Sequence, residues 1–172
     1  METGGSQNDA VPFRDQLKTI ELDAFELNVK EVRAGAGARR LEFESFKDRL
    51  LIHLDGPRPR DKKLTLIVSY NARPRRGLHF IKPDDDYPDK PLQVWSQGEA
   101  QDNSAWFPCT DAMNERQTTE TRITVPERFT VLSNGRLVSE KHDARRRERT
   151  FHWRQDEPHP AYLVSIAIGD FS

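Results

Sequence analysis

The 172-residue sequence holds a single cysteine, Cys109, so no internal disulfide can form and the fold does not rest on an oxidising compartment. It has almost no net charge. The 27 Lys and Arg against 28 Asp and Glu leave −1 at pH 7, so no global field recruits nucleic acid or an anionic membrane, and neither is expected as a partner. No apolar run approaches the ~18 residues that span a bilayer, and the N-terminus lacks a signal-peptide core. The compartment stays open, with a lean to the cytoplasm. No two of His53, His79, His142, His152 and His159 stand at helical i, i+4 spacing, while a zinc site wants three or four ligands converging at ~2.0–2.3 Å. No metal is therefore expected on this chain. There is no G-x-S-x-G elbow and no glycine-rich phosphate loop; "GAG" at 35–37 reads as a hairpin tip. Cys109 in "FPCTD" reads as a small buried hydrophobe rather than a nucleophile.

What the sequence has in quantity is alternation. Hydrophobic residues make up 35% and charged residues 32%, a polar but foldable balance in a length suited to one domain. Residues 1–16 read as a flexible leader and 17–172 as the domain. Ile20/Leu22, Phe25/Leu27/Val29, Leu41/Phe43, Leu50/Ile52/Leu54 and Leu64/Leu66/Val68/Tyr70 recur with period two, the pattern of half-buried strands. Further strands fit "RGLHFIKP", "KPLQVWSQ", "TTETRITVP", "FTVLSN", "GRLVSEK", "RRERTFHWRQ" and "AYLVSIAIGDF", and "SNG" at 133–135 suits a tight hairpin turn. "DAMNERQTTE" (111–120) is the one stretch with helical character, and Thr118 and Thr119 oppose its extension. The expected fold is all-β, an antiparallel β-sandwich with little or no helix. "ARRRER" (144–149) fits the solvated ends of two hairpin strands, and "DDD" (84–86) lacks the ligand spacing of a calcium loop.

Two long segments fall outside the strands, at 82–91 and 98–117, and structureless loops of that length are often functional. The second opens on "QVWSQGEAQDNSAWFPCTD" (93–111). Gln97 and Glu99 lie two apart and share one side of an extended segment. A carboxylate beside an amide oxygen suits an ammonium group: a 4 Å charge pair at intermediate dielectric is worth ~4 kcal/mol before desolvation. Composition alone favours the other reading, two ordinary solvated residues at a strand end.

In order along the chain, "GLHFIKPD", "YPDKPLQVWSQGEAQD" and "WFPCTDAMNERQTTETRITVPERFTVLSNGRLV", together with "IELDA", resemble the N-terminal β domain of the M1 (gluzincin) zinc aminopeptidases. The likeness runs from about Leu17 to Ser172. It implies a saddle-like β domain packed over a thermolysin-like helical domain. That second domain carries an H-E-x-x-H…E zinc site, whose metal activates water while a glutamate acts as general base. The resemblance also implies that Gln97, Gly98, Glu99 and Ala100 form a substrate-binding loop reaching into that site, where Gln97 and Glu99 help hold the free α-amine of the peptide's N-terminus.

Two positions depart from the family pattern: Ser104 stands where relatives commonly carry arginine, and Met113 where they carry proline. Only sixteen residues precede "LKTIELDA", so the domain's first strands are expected to be clipped. The chain has no H-E-x-x-H, so it is expected to contribute no catalytic residue, to bind no zinc and to be inactive alone. Its partners would be the peptide substrate and the catalytic domain of the same polypeptide, and removing that domain should bare an apolar surface including Trp95, Trp106 and Phe107. A second reading is a non-catalytic interaction scaffold resembling the M1-like subunit of a general transcription factor. A third, weaker one is a carbohydrate-binding sandwich that uses Trp95, Trp106 and Trp153 as stacking platforms.

Overall fold

Alternation becomes strand throughout the computed structural model, which describes residues 16–35, 39–59 and 62–171. In chain order the strands among the described residues are β1 (Gln16–Asp23), β2 (Asn28–Ala34), β3 (Arg39–Leu41), β4 (Phe43–Ser45), β5 (Arg49–Pro59), β6 (Leu66–Asn71), β7 (Leu78–Ile81), β8 (Gln93–Ser96), β9 (Gln117–Pro126), β10 (Thr130–Ser133), β11 (Arg136–Asp143), β12 (Glu148–His159) and β13 (Ile166–Gly169). Apart from two single 3₁₀ turns, Asn103–Ala105 and Ala161–Leu163, no helix forms among them. The all-β expectation holds.

The strands make four antiparallel sheets, ordered β1-β5-β4, β3-β2-β6, β10-β13-β8-β7 and β11-β12-β9. The first two close on one core, where Ala24, Leu27, Val32, Leu41, Leu50 and Ile52 are buried against the partly buried Leu66, Val68 and Tyr70. Leu27, Leu41, Leu50, Ile52, Leu66, Val68 and Tyr70 are residues the period-two pattern picks out; Ala24 and Val32 are not, because β2 shifts register between Val29 and Glu31 and turns Val32 inward. The last two sheets share a smaller core of Val125, Phe129, Val131 and Phe151. Trp153 packs on it and donates its indole N–H to Val131 O at 3.1 Å, so it is a core residue and not a stacking platform.

Several local expectations need correction. The Leu41/Phe43 alternation does not belong to one strand: β3 pairs with β2 and β4 with β5, and the chain changes sheet at Glu42, whose carbonyl accepts the His53 N–H at 2.9 Å. "SNG" is not a hairpin, because β10 and β11 lie in different sheets. Asn134 instead uses its side chain, donating to Leu163 O at 2.9 Å and accepting the Ser165 N–H at 2.6 Å. Gly135 alone takes the left-handed φ of +80°, at a corner where a Cβ would sit 2.1 Å from Arg154 O. "DAMNERQTTE" enters β9 at Gln117 without forming a helix. In "AYLVSIAIGDF" the strand starts only at Ile166, after Pro160 leads into the 3₁₀ turn.

Other readings stand. Ala34 pairs with Arg39 across the "GAG" tip, of which 36–38 lie outside the described residues, as does the leader through residue 15; Gln16 already opens β1. Residues 144–147 form the tip of the β11–β12 hairpin, with Asp143 Oδ1 accepting the N–H groups of Arg145 and Arg146. Arg147 and Arg149 are spent on Glu127 and Glu140.

Candidate functional site

β8 delivers the chain into the Gln97–Ala100 loop, and backbone bonds fix both ends of that loop. The Gln97 N–H donates to Gly77 O at 2.9 Å, and the Asp102 N–H reaches back to Gly98 O at 2.9 Å. Gly98 is buried and has no room for a side chain, since a Cβ would lie 2.4 Å from Tyr162 O and 2.6 Å from Asn103 Nδ2. The Glu99–Ala100 peptide is cis. Gln97, Glu99 and Ala100 are exposed on either side of this anchored glycine. Among the described residues the Glu99 carboxylate and the Gln97 amide have no hydrogen-bond or ion-pair partner. A fixed backbone thus presents two free acceptors to solvent.

Below the loop lies Asn103, 0% exposed. Its Nδ2 donates to Ala161 O at 2.6 Å and Val164 O at 2.9 Å, and its Oδ1 accepts the Trp106 indole N–H at 2.8 Å. Arg76 supports the loop from outside, with its guanidinium 3.8 Å above the Phe25 ring and 3.3 Å from Asp102 Oδ1. Further along, Asp23 and Cys109 exchange backbone bonds of 2.8 and 3.1 Å, and the Asp111 N–H donates to Asp23 Oδ2 at 2.8 Å. The loop is therefore tied to both halves of the molecule.

Asp111 is 3% exposed; its Oδ2 accepts the Ser104 N–H at 3.1 Å, and its Oδ1 is buried without a partner. Burial pushes its carboxyl above the ordinary aspartate range, against the Ser104 hydrogen bonds. At Ser104, where the family pattern leads one to expect arginine, the hydroxyl bonds Gln101 O at 3.1 Å and no cation reaches Asp111. Cys109 is the inert thiol expected: buried, with desolvation and then the charges of Asp111 and Asp23 pushing its pKa far up. Asp111 is the last residue of the "FPCTD" segment that carries part of the family resemblance, whereas Asn103 carries no recognisable motif beyond its i, i+3 spacing to Trp106.

The aromatic residues divide. Trp95 is 41% exposed and stacks on His79 with centroids 4.3 Å apart. His79, Trp95, Ala167 and Leu132 stand opposite one another across β7, β8, β13 and β10, one row of a sheet face. Trp106 and Phe107 are half-buried, edge to face at 4.5 Å, and line an open cleft of about 810 Å³ with Leu22, Leu66 and Ile166. An accessible apolar surface is present at Trp95 and only partly at the other two.

The Glu99 carboxylate offers acceptors only, and the Gln97 amide both an acceptor oxygen and N–H donors. Among the described residues no three His, Cys, Asp or Glu side chains come together as metal ligands.

Residues 3–163 match the family model described as the peptidase M1 N-terminal domain. Similar proteins include transcription initiation factor TFIID subunit 2 of Gallus gallus, 34% identical over 113 residues, covering 64% of this chain and 10% of that protein. They also include leucine aminopeptidase 2 of Candida glabrata, 30% identical over 168 residues, covering 94% of this chain and 24% of that protein. The chain thus spans a quarter or less of the length of either. Among solved structures, an M1 zinc metallopeptidase from Deinococcus radiodurans superposes with a TM-score of 0.76 at 20% identity, covering 91% of this chain and 35% of that one. Native yeast LTA4 hydrolase gives 0.72 at 25% identity, covering 91% and 25%.

Proposed function

The chain belongs to the family of peptidase M1 N-terminal domains, and from that premise we propose that it is the amino-terminal part of a zinc-dependent aminopeptidase, which removes N-terminal residues from peptides, and that its Gln97–Ala100 loop holds the substrate's free α-amine. The observation that supports this reading is the pair of exposed, unpartnered acceptors on a loop whose glycine is locked in place. An ammonium at that position donates a charge-assisted hydrogen bond to the Glu99 carboxylate and a second, oriented one to the Gln97 carbonyl oxygen. Gly98 packs down between the two exposed side chains. The described residues do not fit zinc. The metal of such an enzyme, and the general base beside it, belong to polypeptide outside this chain. That part would cover the row of Trp95, Ala167 and Leu132 on the exposed sheet face.

The scaffold reading has one observation in its favour, the 34% identity to a transcription-factor subunit. It ranks second because that match covers 64% of this chain, against 94% for leucine aminopeptidase 2. A scaffold also has no use for a free carboxylate and amide side by side. The experiment is hydrolysis by the full-length polypeptide of leucyl-anilide and of its N-acetylated form. The proposal expects chelator-sensitive cleavage of the first and little of the second; equal rates on both, or none on either, refute it.

A further inference from the structure

Resting on that reading of Glu99, we propose that Asn103 is the positioning residue for its carboxylate. Three observations converge on the side chain. It is wholly buried, both donors and the acceptor of its amide are engaged, and its Nδ2 lies where a Gly98 Cβ would come within 2.6 Å. Gly98 therefore rests on the amide, and Glu99 follows Gly98 directly.

The amide cannot turn over. Its two donors face the carbonyls of Ala161 and Val164, at the two ends of the second 3₁₀ turn, and the Trp106 indole N–H fixes which end is oxygen. Asn103 thus references the height of the loop to a segment some sixty residues later in the chain. No other residue type supplies two donors and one acceptor from so short a side chain in this arrangement. An aspartate would aim an oxygen at two carbonyl oxygens, and a leucine would leave both carbonyls buried and unpaired.

The test is a double-mutant cycle in the full-length polypeptide, with leucyl-anilide as substrate. Asn103→Asp should lower kcat/KM about tenfold, chiefly through KM, because a displacement near 1 Å at the anchor suffices for such a loss. Added to Glu99→Ala, the same change should lower kcat/KM less than about twofold, since the group it positions is already gone. An equal loss in both backgrounds shows a merely structural role and overturns the proposal. A silent Glu99→Ala fells the amine reading and this proposal together, a result distinct from additivity. Where Asn103→Asp does not fold, Trp106→Phe removes the bond to Asn103 Oδ1, together with part of the ring that packs on Phe107, and leaves the Asn103 amide itself in place. It should give a smaller loss that again vanishes in the Glu99→Ala background, and additivity there overturns the proposal equally.

Discussion

Replacing Glu99 by alanine removes one carboxylate and leaves its surroundings intact. The side chain has no partner among the described residues, and the neighbouring backbone is held by the Gly98–Asp102 bond and the packing of Gly98, none of which involves it. The stability of the domain should stay within ~0.5 kcal/mol of the parent, as for surface positions generally. Substrate capture should not. A hydrogen bond to a charged group is worth ~1.5–3 kcal/mol net, and each 1.4 kcal/mol is about a factor of ten, so kcat/KM should fall roughly ten- to a hundred-fold. The upper end applies if a second domain covers the loop and excludes water, the lower end if the loop stays as open as it is here. Glu99→Gln keeps shape and acceptor but not charge, so the gap between the two variants measures the ionic part of the grip. The preference for free over acetylated N-termini should shrink in step with kcat/KM, because the carboxylate is what reads the charge. The assay is steady-state hydrolysis of leucyl-anilide and its acetylated form, with thermal unfolding and bound zinc measured on the same samples. Wild-type kinetics and selectivity in Glu99→Ala would refute the reasoning and leave Glu99 an ordinary solvated side chain.

Two further outcomes are expected. Asp111 has its carboxyl pKa raised by burial, so the folded chain takes up a proton at a pH where the unfolded chain does not; this group adds stability as pH falls through its folded pKa. Glu31, Glu120 and Glu127 are shifted the other way by their Arg and His partners and lose stability on acidification. Unfolding midpoints between pH 7 and 4 should therefore fall more steeply in Asp111→Asn than in the parent, and parallel curves would refute this. Cys109, buried with a strongly raised pKa, should resist thiol reagents at pH 8 until denaturant is added; labelling of the native chain within minutes would refute it.

Strands were legible in the sequence because a pleat sorts side chains by parity, and Leu50, Ile52, Leu66 and Val68 keep that parity all the way into the first core. The sheet each strand joins was not. Alternation runs unbroken across Glu42, yet the chain leaves one sheet and enters another there, because β3 turns back onto β2 while β4 pairs forward with β5, and alternation does not say which neighbour a strand will take. "SNG" misleads for a related reason: an Asn-Gly pair suits a tight turn, but Asn134 spends its amide on Leu163 and Ser165, and only the glycine does the turning. Gln97 and Glu99 stood out because a carboxylate and an amide shared one side of a strand's extension. Their support did not stand out. Asn103 bonds to carbonyls 58 and 61 residues away, and nothing in a local window marks an asparagine as buried. The unpartnered Oδ1 of Asp111 is equally invisible, since burial is a property of the assembled chain.

The ties of the 98–111 loop also bear on the order in which the molecule comes together. The β11–β12 hairpin joins Asp143 to Glu148 and can zip from contacts a few residues apart. The loop's contacts are of another kind: Asp111 to Asp23 closes 88 residues, and Asn103 to Val164 closes 61. Such closures are rewarded only after both flanking regions have taken shape, so they belong late in folding and, by the same token, among the first contacts surrendered when the native state frays. Glu99 is therefore placed by the last steps of folding. A chain that has formed all its hairpins but not these closures would look β-rich by circular dichroism and still leave Glu99 unplaced, so that, under the proposed role of Glu99, capture of a free N-terminus would be a stricter gauge of complete folding than any measure of strand content.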